Sequence, residues 1–109
     1  MRSVDTILSA VECLPAVKVL IDDARREAGI RVGARVIARV DLRGAGGVFV
    51  DVPPDRITAL REAFPSCRPS TDGIVFDLAD PRCCAEAIAA IRRRVNVERL
   101  AWQFRVSSP

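Results

Sequence analysis

Apolar and polar residues alternate over four short runs of this chain, and elsewhere apolar residues recur every three or four positions. Val48, Val50 and Val52 alternate with Phe49 and Asp51, and Ile74, Phe76 and Leu78 alternate with Val75 and Asp77. A period of two puts successive side chains on opposite faces of a strand, so both runs predict strands. Val36, Ala38, Val40 and Leu42, set against Arg35, Ile37, Arg39 and Asp41, predict another. Leu100, Trp102, Phe104 and Val106, set against Arg99, Ala101, Gln103 and Arg105, predict a last strand over 98–106. Ile57, Leu60 and Phe64 have helical spacing and predict a helix over 54–64. Cys84, Ile88, Ile91 and Val95 predict a second helix over 81–94.

The punctuation between these runs agrees with them. Pro53-Pro54-Asp55 opens the first helix, because proline lacks the N–H that a first helical turn leaves unpaired. Asp80-Pro81 opens the second in the same way. Arg43-Gly44-Ala45-Gly46-Gly47 joins two alternating runs and predicts a β-hairpin turn. The glycines do not predict a phosphate cradle, which needs a helix to begin directly after the loop. Thr71-Asp72-Gly73 is a turn signal, and residues 67–69 are open between loop and edge strand. Ahead of all this, Val4, Ile7, Leu8, Val11, Leu14, Val17, Ile21 and Ala24 keep helical spacing, with Gly29 as a stop. They predict a helical segment over 1–29, kinked or divided at Pro15, because an interior proline removes a hydrogen bond and clashes with the preceding turn.

The expected architecture is therefore α/β: an α+β two-layer sandwich in one domain, 1–109. A helical N-terminal segment is followed over 34–106 by a ββαβαβ mixed sheet with both helices on one face. With a strand at 67–69 the later part reads as a ferredoxin-like plait. Without it, Asp55 to Phe64 followed by Ile74 to Leu78 resembles the first helix and next strand of a STAS domain. Phosphorylated STAS domains carry Asp-Ser-Ser-Gly at the following helix start, where this chain has Asp80-Pro81-Arg82-Cys83. Arg35-x-x-x-Arg39 and Asp41-x-Arg43-x-x-Gly46 resemble the two motifs of PilZ domains, which bind cyclic dinucleotides. Arg43 stands where that family has Ser, and helices follow where its barrel continues.

Composition narrows the function classes. Half of the 109 residues are hydrophobic and 28% are charged, enough to build a core without disulfide or metal. No apolar run reaches the roughly 20 residues of a membrane span, and Asp5, Glu12 and Pro15 interrupt any signal-peptide pattern, so a cytoplasmic protein is expected. Cys13, Cys67, Cys83 and Cys84 lack the spacing of a disulfide framework or a zinc knuckle, and buried thiols are expected instead. The net charge of +3 is uneven: residues 1–30 hold four basic and five acidic side chains, so the whole excess lies beyond them. It gathers at Arg92, Arg93, Arg94, Arg99 and Arg105.

Histidine is absent, which removes the commonest acid–base group at neutral pH. Asp41, Asp51 and Asp77 fall on one predicted sheet face, and ion pairing with Arg35, Arg39, Arg99 and Arg105 is the expected use of them rather than metal binding. No catalytic residue, metal or cofactor is expected. The same face carries the candidate interaction residues Arg35, Ile37, Arg39, Phe49, Val75, Arg99, Gln103 and Arg105. A surface that mixes apolar and charged groups suits a partner, either another protein or a second copy of this chain. The reading is a protein–protein interaction or adaptor module without catalytic activity. It uses this face, an edge strand or the N-terminal helices. The alternative is a nucleic-acid-binding domain using Arg92, Arg93, Arg94, Arg99 and Arg105 against phosphates. A membrane partner is not expected.

Overall fold

The computed structural model describes residues 3–43, 46–70 and 72–107. Helix α1 (Ser3–Glu12) is followed by four strands, β1 (Val17–Asp22), β2 (Glu27–Val32), β3 (Arg35–Asp41) and β4 (Gly47–Asp51). Helix α2 (Pro54–Ala63), strands β5 (Arg68–Ser70) and β6 (Gly73–Asp77), and helix α3 (Pro81–Ser107) complete it. The six strands form one sheet in the order β1-β2-β3-β4-β6-β5, and every neighbouring pair is antiparallel. The chain is thus mixed α and β, as expected, but strand count and order differ from ββαβαβ. One part of the expected connectivity remains: β4 and β5 run parallel with β6 between them, joined through α2.

Two stretches depart from the sequence pattern. The strand predicted over 98–106 is the second half of α3. No glycine or proline stands between Pro81 and Pro109, so nothing stops the helix near Asn96. Ile91, Val95 and Glu98 continue its buried stripe at helical spacing. Leu100, expected inside, is 56% exposed on the helix surface. The side chains of Trp102, Phe104 and Arg105 lie outside the described residues.

The second departure is the N-terminal segment. Its helix ends at Glu12, ahead of Pro15, which would otherwise fall in the helix interior. Ala16 takes a left-handed φ of 67° and turns the chain into β1. Strands β1 and β2 then form a hairpin. The Asp22 carboxylate accepts from the N–H groups of Ala24 and Arg25 at 3.1 and 3.2 Å and so closes the β1–β2 turn. Gly29 sits inside β2 rather than ending a helix. The β2–β3 hairpin turns in two residues, with Gly33 at φ 60°, a conformation that costs glycine nothing.

One face of the sheet builds the core. Ile30, Ala38, Val50 and Ile74 lie side by side across four strands, and Ala28, Val40, Val48 and Phe76 form the next row. All eight are fully buried. Helix α3 lies over β2, β3, β4 and β6 with a stripe of Cys83, Ala87, Ala90, Ile91 and Val95. Its small residues let the helix approach the sheet closely. Helix α1 joins it on the same side through Val4, Ile7 and Val11, contacting α3 and β1, so the N-terminal segment leaves the other sheet face uncovered. Helix α2 adds Leu60, beside β5 and β6.

A β-bulge decides which residues face which way. Ile30 pairs with Ala38, but the next residue, Arg31, pairs with Val36, leaving Ile37 unpaired. An extra residue reverses the alternation on one strand. Ile37 therefore enters the core at 0% exposure, and Val36 turns out to 41%. The bulge thus exchanges the sides that strict alternation assigns to this pair.

Two glycines in neighbouring roles predict opposite outcomes. A Cβ on Gly73 runs into the Val50 carbonyl oxygen of the paired strand, whereas one on Gly29 meets only ordinary contacts at 3.8 and 3.9 Å. Gly73→Ala is expected to lower the unfolding free energy by about 2 kcal/mol. Gly29→Ala should be neutral or stabilise by about 0.4–1 kcal/mol through the unfolded chain. Urea denaturation followed by circular dichroism measures both.

Candidate interaction surface

The uncovered sheet face carries a continuous row across all six strands. Leu20 pairs with Gly29, Gly29 with Arg39, Arg39 with Phe49, Phe49 with Val75, and Val75 with Arg68. Arg39, Phe49 and Val75, expected on one face, do lie together. Leu20, 47% exposed, and Arg68 extend the row to both edges, and Val36 lies beside it on β3. Sequence reasoning missed Leu20 because it placed β1 in a helix. The alternation of Val17, Val19 and Ile21 with Lys18, Leu20 and Asp22 was the signal available for it.

The other expected members lie elsewhere. Ile37 is in the core, as described. Arg99 and Gln103 sit on α3, not on the sheet. The backbone of Arg105 continues that helix. Arg35 turns toward α3 and enters a ring of four charges. Its Nη2 lies 3.3 Å from Asp51 Oδ2, and its Nε lies 3.9 Å from Glu98 Oε1. Arg94 closes the ring, with Nη2 3.3 Å from Asp51 Oδ2 and Nη1 3.0 Å from Glu98 Oε2. Positive and negative groups alternate around it, and it ties β3 and β4 to α3. Arg94 and Glu98 side chains are only 12% and 8% exposed, so each depends on the other for neutralisation.

This ring also dismantles the expected arginine patch. Successive helical residues point about 100° apart, so Arg92, Arg93 and Arg94 do not share a face. Arg94 is inside the ring, and Arg93 donates to Glu86 at 3.1 Å, two turns upstream. The three carboxylates likewise separate. Asp51 belongs to the ring. Asp41 accepts from the backbone N–H of Arg43 at 2.9 Å and from its guanidinium at 3.2 Å, which together hold its carboxyl below the usual range. Asp77 accepts from the N–H of Ala79 at 2.9 Å. Among the described residues no cluster of His, Cys, Asp or Glu is arranged to hold a metal ion, and no helix is long and apolar enough to cross a membrane.

At the N-terminal end of α3, Asp80 caps the helix. Its carboxylate accepts from the Arg82 guanidinium and backbone N–H and from Ser66 Oγ, and these partners hold it below its ordinary value. The Arg82 guanidinium also sits 5.8 Å from the centre of the Phe64 ring. Behind this cap Cys67 and Cys83 are buried with their sulfurs 4.0 Å apart, and burial beside Cys83 pushes the Cys67 thiol up to about 12. Cys84 is half-buried, and Cys13, expected to be buried, is exposed beyond the end of α1.

These environments set two expected outcomes. Arg94→Met strands Glu98 and Asp51 and is expected to cost about 3 kcal/mol. Arg93→Met breaks an exposed pair and should cost less than about 1 kcal/mol. Guanidinium chloride titration of both variants checks the difference. In the folded protein at pH 8, Ellman's reagent should titrate Cys13 promptly and Cys67 only on unfolding, since a thiol at about 12 carries almost no thiolate there.

Compared with protein-family models, with curated proteins and with solved structures, this chain matches none.

Proposed function

We propose that this protein is a protein-interaction module whose partner is a second copy of itself, joined edge to edge through β1. The reading involves no catalysis and no cofactor. Strand β1 ends the sheet, and among the described residues no strand pairs with its outer side. An unpaired edge presents a row of free backbone donors and acceptors, a template for another strand. Leu20 and Ile21 on it are 47% and 59% exposed.

The observation that carries the reading is that β1 complements itself. In antiparallel pairing centred on Leu20, Leu20 meets Leu20 of the second copy. Val19 then meets Ile21, and Lys18 meets Asp22, each twice by symmetry. Opposite charges face each other at both ends of an apolar centre, a favourable cross-strand arrangement. Leu20 also ends the row that runs through Arg39, Phe49, Val75 and Arg68. Pairing at this edge makes one row across two copies, doubling the mixed surface that a larger partner meets.

Charge reversal tests it. The wild type is expected to sediment as a dimer at micromolar concentration. Lys18→Asp and Asp22→Lys should each give monomers, because like charges then oppose twice, and the double variant should restore the dimer. A wild type that stays monomeric, or single variants that remain dimeric, removes the reading. The nucleic-acid alternative is tested alongside with Arg92→Glu and Arg93→Glu, sparing Arg94 because it holds the ring. Heparin retention lost in those variants from a monomeric wild type would favour that alternative.

A further inference from the structure

Beside the charge ring, where the β2–β3 hairpin meets the start of β1 and the C-terminal half of α3, lies a hollow of about 890 Å3. It falls within the range of ligand pockets, roughly 300–1,000 Å3. Lys18, Arg31, Arg35 and Arg99 line it, with Glu98 as the one carboxylate among its lining residues. That carboxylate is already engaged by Arg94 and Arg35.

Two observations point to an absent anion. Lys18 and Arg31 stand directly opposite each other in the β1–β2 ladder, an unfavourable placement for like charges unless something negative lies between or beside them. Arg99 reaches the same hollow from α3, and among the described residues it makes no ion pair. Cations from two strands and a helix thus line one hollow whose single carboxylate among the described lining residues, Glu98, is already held by Arg94 and Arg35.

We infer that this hollow binds a small phosphorylated ligand of nucleotide size. Guanidinium groups present paired N–H donors in a plane, matching two oxygens of one phosphate. Arg31 and Arg99, from a strand and from α3, each bring such a group to the lining of the hollow. Arg35 is shared with the ring, so an occupied site is coupled to the contact between β3, β4 and α3. Gln103, one helical turn beyond Arg99, offers a neutral amide at the rim. The inference stands apart from β1 pairing, and its test leaves Lys18 and Asp22 untouched.

Isothermal titration calorimetry with ATP and with inorganic pyrophosphate tests it, with a short oligothymidylate as a third probe. ATP should bind saturably to the wild type. Arg31→Met and Arg99→Met should each weaken it by about tenfold or more, the loss expected for a charged hydrogen bond. Arg92→Met, on the same helix but outside the hollow, should bind as the wild type does. Thermal melts establish folding, and Arg99→Met, at a half-buried position of α3, keeps the test available if Arg31→Met unfolds. Absence of heat with both ATP and pyrophosphate overturns the inference. So does undiminished binding by folded Arg31→Met or Arg99→Met. Tighter binding of the oligothymidylate than of ATP overturns the small-ligand assignment and makes the hollow a nucleic-acid backbone site.

Discussion

The contact of α3 with one face of the sheet is the constraint on which the rest of the molecule depends. An antiparallel sheet of this size cannot keep Ile30, Ile37, Val40, Val48, Val50, Ile74 and Phe76 dry by itself. The helix that covers them must be long enough to cross four strands and narrow enough to lie close. Twenty-seven residues supply the length, and Cys83, Ala87 and Ala90 supply the narrow side. Apolar packing alone leaves such a helix free to slide, because alanines make poor registers. The alternating ring of Asp51, Arg94, Glu98 and Arg35 supplies a direction-dependent contact at one point along it. Its desolvation is offset only while all four members are in place, so the ring is satisfied at the one placement of α3 that brings them together.

The sheet strands in the middle of the chain could be read from residues alone because their two environments differ. Val48 and Val50 point to the core while Phe49 points away, and the same holds for Ile74 and Phe76 against Val75. Helix α2 and the start of α3 were legible from Pro54 and Asp80-Pro81, where local backbone chemistry decides. Three things were hidden. Strict alternation at 98–106 lay downstream of a helix that nothing terminates, and propagation of an existing helix is easier than nucleation of a new strand. Spacings of three and four near the N-terminus span Pro15, which divides them between a helix and a strand that both happen to satisfy them. The bulge at Ile37 has no residue signature at all. It arises from the pairing of Arg31 with Val36, a tertiary fact, and it exchanged the faces of two residues.

The candidate surface was legible in the same proportion. Its centre, Arg39, Phe49 and Val75, comes from the strands that alternation identified, so these three share a face as expected. Its expected flank, Arg99, Gln103 and Arg105, came from the misassigned strand and is displaced onto α3. In its place stands β1, a strand that helical spacing had concealed. Edge strands in soluble proteins are commonly protected by an inward charge, a proline or a covering helix. Here α1 contacts β1 from the core side, leaving its outer edge with a lysine at one end and an aspartate at the other. One lysine of this kind deters any strand equally. A lysine and an aspartate placed symmetrically about a leucine deter most strands and admit a copy of themselves, which is why the proposed pairing is specific rather than merely adhesive.

The distribution of arginine bears on the second proposal in a way that net charge does not. A chain with sixteen arginines among its seventeen basic residues presents an apparent basic cluster at 92–94 by sequence proximity. Folding disperses that cluster: Arg94 is neutralised inside the ring and Arg93 by Glu86. It then assembles a different one from residues that are distant in sequence, Lys18, Arg31, Arg35 and Arg99. Sequence clusters of charge form readily on solvated helix ends, because water screens them. A cluster made by folding is costlier, since it must be held against its own repulsion in a partly desolvated hollow. The fold tolerates Lys18 and Arg31 directly opposite each other, although an uncharged residue at either position would remove that repulsion. Where like charges persist side by side, the missing partner is sought outside the chain. The spread of those cations over two walls of a hollow favours a compact anion over an extended one.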